Sequence, residues 1–86
     1  MRYTSPTAED FERLKQALGK TGNDMADLFG VAGGQQWRKY TSKSEPRQMS
    51  PQILFFGAAR LALSPEELER VIDKMREIGA DLDIDN

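Results

Sequence analysis

The chain contains neither cysteine nor histidine. Without cysteine there can be no disulfide framework and no thiolate metal site, and a reducing compartment is the natural setting. Without histidine the commonest metal ligand and the usual general base are gone, and the thiol nucleophile is missing too. An enzyme is therefore not expected, nor is a bound metal or cofactor. No stretch of 18 apolar residues occurs, and the opening "MRYTSPTAEDF" lacks the apolar centre of a signal peptide. These gaps predict a soluble, cytoplasmic protein without a membrane role. Period-two alternation and internal repeats are missing as well, which leaves an all-α class.

The 86 residues suffice for one small domain, near the lower limit at which a single core sustains itself. The net charge of -2 conceals a gradient. Residues 1 to 34 carry four bases and five acids, residues 35 to 63 five and one, and residues 64 to 86 three and eight. Such asymmetry points to a basic working face and an acidic remainder.

Helix signals punctuate the whole chain. Ser5-Pro6 and Thr7 with Asp10 are alternative starts of a first helix, in which Phe11, Leu14 and Leu18 share a face until Gly19. Thr21 with Asp24 starts a second of about two turns, closed by Gly30. A third short helix is expected from about Gln35 to Thr41, with Trp37 and Tyr40 three apart on one face. "SKSEPRQM" reads as a polar loop. Ser50-Pro51 starts a fourth helix and Ser64-Pro65-Glu66-Glu67 a fifth, which ends at Gly79. The fourth, around "ILFFGAARLAL", is apolar on nearly every side except at Arg60, more than a chain of this size covers alone. The fifth carries a stripe of Leu68, Val71, Ile72, Met75 and Ile78, either dimer interface or intramolecular core. Residues 1 to 79 form the expected domain and residues 80 to 86 a flexible acidic tail. Asp81, Asp83 and Asp85 imitate the opening of a calcium loop, but its glycine and distal glutamate are missing, so calcium is not expected.

The second and third helices with their short connection have the features of a helix-turn-helix. Ala26 is small enough for close helix approach, Gly30 suits the left-handed turn residue, and Val31 fills the space between the helices. The segment "TGNDMADLFGVAGGQQWRKY" resembles the Cro/C1-type (Xre-like) helix-turn-helix of phage repressors. Met25, Ala26, Phe29, Gly30 and Val31 match its core pattern, and Gly22 stands where a phosphate-contacting glutamine is common. Aligning Trp37 and Tyr40 with the inward positions of the recognition helix lengthens the turn by one residue. The usual spacing would instead bury Gln36, at greater cost. Trp37 is accordingly read as core rather than as a platform for bases.

The resemblance implies that the third helix enters the major groove. Gln35, Gln36 and Arg38 would read bases, with the glutamines suited to adenine and Arg38 to guanine or, alternatively, to a phosphate. Thr21, Lys39, Thr41, Ser42, Lys43 and Arg47 would contact phosphates, and Arg2 and Tyr3 would form a minor-groove arm. The expected function is a sequence-specific regulator of transcription, a repressor or autoregulator similar to short phage and mobile-element regulators such as anti-CRISPR-associated repressors. It would bind double-stranded DNA as a homodimer on an inverted repeat. Phe55 on the fourth helix joins the stripe of the fifth as a candidate dimer contact. The alternative is a protein-interaction module of the same fold, such as an antitoxin or phage-encoded inhibitor, gripping its partner through helix four or five.

Overall fold

A computed structural model describes residues 1 to 84. Among them are five α-helices and no strand: α1 Ala8–Leu18, α2 Gly22–Phe29, α3 Gly34–Thr41, α4 Pro51–Ala62 and α5 Pro65–Ile78. The all-α class and the helix order agree with the sequence reading. No helix of the described residues is long and apolar enough to cross a membrane.

Local chemistry sets most of the helix ends. The hydroxyls of Thr7, Thr21 and Ser64 each accept the amide N–H of the residue three on, while the carboxylates of Asp10, Asp24 and Glu67 accept the backbone N–H of the capping residue. Ser50 caps α4 in the same manner without an acid, and Pro51 follows it. α2 stops at Gly30, whose left-handed backbone (φ 72°) lets its N–H reach the carbonyls of Ala26 and Asp27.

The core gathers Phe11 of α1, Met25, Ala26, Leu28 and Phe29 of α2, Trp37 and Tyr40 of α3, and Met49 just before α4. Val31 packs against it, as expected of the residue after the turn glycine. Trp37 lies at the centre, stacked on Phe29 with ring centroids 5.5 Å apart and edge-on to Phe11 at the same distance. Its indole N–H has no partner and the ring is 1 % exposed, so Trp37 is core and offers no face to a nucleotide.

α4 closes on α2 at Gly57, where a Cβ would overlap the Cδ1–Cε1 edge of the Phe29 ring. Arg60 clamps the same junction: Nη1 donates to the carbonyls of Asp27 (2.7 Å) and Leu28 (3.0 Å) at the end of α2, and its guanidinium lies over the Phe56 ring. One of the five bases in the basic segment is thus a structural clasp.

α5 contributes nothing to the central core. Ile72 is only 2 % exposed within the single chain, so of the two roles expected for the stripe it takes the intramolecular one and not that of a dimer contact. Phe55, Val71, Met75 and Ile78 remain exposed, Phe55 at 73 % and Ile78 at 80 %, and Leu68 is half-buried. The expected surplus of apolar surface on α4 and α5 is therefore present in one chain.

Two expectations about the termini change. The Tyr3 hydroxyl donates to the Met49 carbonyl (2.6 Å) and the Met49 N–H donates to Ser5 Oγ (3.1 Å), so Tyr3 is docked beside the start of α4 rather than free as an arm. At the other end, Arg76 donates to the Leu82 carbonyl at 3.1 and 3.2 Å and pairs with Asp83. The acidic tail is held against α5 as far as it is described. Asp85, the third acid of the calcium-like pattern, lies outside the described residues.

Candidate nucleic-acid interface

The connection from α2 to α3 runs through Val31, Ala32 and Gly33, and a side chain from α2 fixes how it ends. Gly33 carries no capping side chain, so Asn23 supplies the missing acceptor: its Oδ1 takes the Gly34 N–H at 2.9 Å. A Cβ on Gly34 would lie 2.5 Å from that oxygen, so any larger residue here displaces the Asn23 cap. The second glycine of the turn thus leaves room for the cap. Gly33 has φ 155°, a region that other residues rarely enter.

This junction sets the rotation of α3. Trp37 and Tyr40 are buried, Gln36 is half-buried, and Gln35, Arg38 and Lys39 are exposed. The expectation that the aromatics rather than Gln36 face the core therefore holds. Arg38 reaches back along the helix so that Nη1 lies 3.4 Å from where a Gly34 Cβ would stand.

α1, α2 and α5 each carry an acid in their first turn, whereas α3 and α4 carry none. The positive dipole end of α3 therefore meets no carboxylate of its own first turn, and Arg38 adds to it. Among the described residues, Arg38, Lys39, Lys43 and Arg47 pair with no carboxylate, and neither do Arg2, Lys15, Lys20 and Arg70, but only the first four are gathered on α3 and the loop after it. Unpaired cations beside an uncompensated helix start present a surface suited to an anion.

Thr21 caps α2 as the sequence reading expects: its hydroxyl oxygen accepts the Asp24 N–H, which leaves its own O–H to donate elsewhere, and its backbone N–H donates to the Asp24 carboxylate. Those hydrogen bonds, and secondarily Lys20, hold Asp24 below the usual aspartate value, so a fixed negative charge sits at the start of α2. Thr41, Ser42 and Lys43 line an open groove of about 810 Å³ whose opposite wall includes Glu9 and Glu12 of α1. Arg47 stands apart from them. Its N–H donates to the Lys39 carbonyl at 2.8 Å, and its Nη1 donates to Gln36 Oε1 at 3.4 Å. It adjoins a reading candidate instead of the groove of its fellow phosphate candidates.

Asn23, Arg60 and Gly57 were not singled out from sequence for these roles. Each acts across a helix junction, and no spacing along the chain announces that. Among the described residues no group of acids is arranged to hold a metal ion. Comparison with known protein families, curated proteins and solved structures finds no match for this chain.

Proposed function

We propose that the protein is a sequence-specific double-stranded DNA-binding regulator of the Cro/C1-type helix-turn-helix kind, acting in the cytoplasm as a repressor or autoregulator. The observation that carries this reading is α3 itself. Trp37 and Tyr40 pin it inward, while Gln35, Arg38 and Lys39 face outward from a helix whose first turn holds no acid. An α-helix fits the major groove, amides and guanidinium groups match base edges there, and unpaired lysines match phosphates.

One such helix supplies few base contacts, so a homodimer on an inverted repeat is the working form, with each α3 in a successive groove. The exposed Phe55, Val71, Met75 and Ile78 are the surface available for pairing. The same surface supports the second reading, a helix-turn-helix module that grips another protein.

Electrophoretic retardation of the DNA upstream of the encoding gene separates the two. The regulator reading predicts retardation that survives excess random duplex and is abolished by Arg38→Glu with Lys39→Glu. Absence of retardation at low salt, or indifference to both substitutions, rejects it.

A further inference from the structure

Gln36 and Arg47 are eleven residues apart, yet the fold brings them together twice over. The first link is the backbone. The Arg47 N–H on the Lys39 carbonyl closes the loop after α3 back onto the helix, and Lys39 lies three residues beyond Gln36, on the same helical face. The second link is the Nη1 to Oε1 hydrogen bond between the side chains.

A guanidinium has only donors, so the Gln36 amide must turn its oxygen toward Arg47. One lone pair of Oε1 is consumed, and the two hydrogens of Nε2 remain to be offered. The remaining N–H groups of Arg47 are donors as well. Among the described residues Arg47 forms no ion pair with a carboxylate. The combined surface is rich in donors and positive, whereas a solitary glutamine presents donor and acceptor equally.

In the major groove guanine shows two acceptors, O6 and N7, while adenine shows N7 beside an amino donor. The guanidinium repels that amino group and favours the paired acceptors. Resting on the DNA-binding reading above, we propose that Gln36 and Arg47 form one reading unit selecting guanine, which makes Arg47 a specificity-determining residue rather than a phosphate anchor. Adenine recognition then falls to Gln35, which is exposed on α3.

Selection of binding sites from random duplex by the full chain tests this, with Trp37 fluorescence checking that each variant is folded. The wild type is expected to enrich a guanine in each half-site. Arg47→Met and Gln36→Ala should each lower that preference by on the order of tenfold at the same position, leaving the other positions intact. If Arg47→Met weakens every sequence alike and keeps the guanine, Arg47 is an anchor and the inference is overturned while the regulator reading stands. If the wild type enriches nothing, both fall together. The pairing itself has a readout without DNA: Arg47→Met should shift the Gln36 side-chain amide resonances of the free protein, and unmoved resonances would overturn it.

Discussion

Two glycines and an asparagine set the start of the reading helix, and a third glycine seats α4 on α2. Asn23 supplies the side-chain cap at the start of α3 and Gly34 leaves room for it. Asn23→Ala should therefore lower stability by about 1 kcal/mol, the usual value of a helix cap. In a domain this small that moves the thermal midpoint by about 4–8 °C, readable by calorimetry. Gly34→Ala should cost a similar amount, because its methyl displaces the same oxygen. Gly57→Ala faces a rigid buried ring rather than a movable side-chain tip, and overpacking of that kind costs roughly 1–3 kcal/mol or more. A Gly57→Ala protein as stable as the wild type would show that α4 can retreat from Phe29. Gly33 completes the set through its backbone angle alone.

At the scale of the element, legibility followed the range of the interaction. The starts of α1, α2 and α5 could be read because a capping box spans only three residues, and Gly30 and Gly79 marked ends for the same local reason. The inward face of α3 was legible from the spacing of Trp37 and Tyr40. The partners of Asn23, Arg60 and Arg47 were not, because each interaction joins residues that folding brings together from different elements. Stripe periodicity likewise could not tell core from interface on α5, where Ile72 is buried and Val71 beside it in the pattern is exposed.

The caps also carry a pH dependence. Backbone hydrogen bonds from Thr7, Thr21 and Ser64 hold the carboxyls of Asp10, Asp24 and Glu67 below their ordinary values of 3.8, 3.8 and 4.5. A depressed folded-state value stabilises fully above the unfolded value, and that stabilisation is lost as pH falls through the folded one. The thermal midpoint should thus decline below about pH 4. Substituting all three acids by their amides should flatten that decline, and an undiminished acid slope would locate the lability elsewhere.

At the scale of the molecule, one chain is long for its mass. Its radius of gyration is 13.7 Å, against about 12 Å for a compact chain of this length, and its extents are 42 × 30 × 21 Å. α5 lies outside the core and leaves Val71, Met75 and Ile78 exposed. A homodimer would cover this surface. Light scattering coupled to size exclusion should give the mass of two chains, and Phe55→Asp with Ile78→Asp should halve it. A single-chain mass at every concentration for the wild type would reject the homodimer.

The central claim is that α3 reads bases while the cations around it hold the backbone. Binding to a selected duplex and to a random duplex, followed by fluorescence anisotropy across a range of salt, tests it directly. Gln35→Ala should cut the ratio between the two affinities by on the order of tenfold with little change in salt dependence. Lys43→Ala should instead weaken both duplexes alike and reduce the salt slope by about one. Equal loss of specificity from both substitutions would contradict the account, as would failure of the wild type to bind either duplex at low salt.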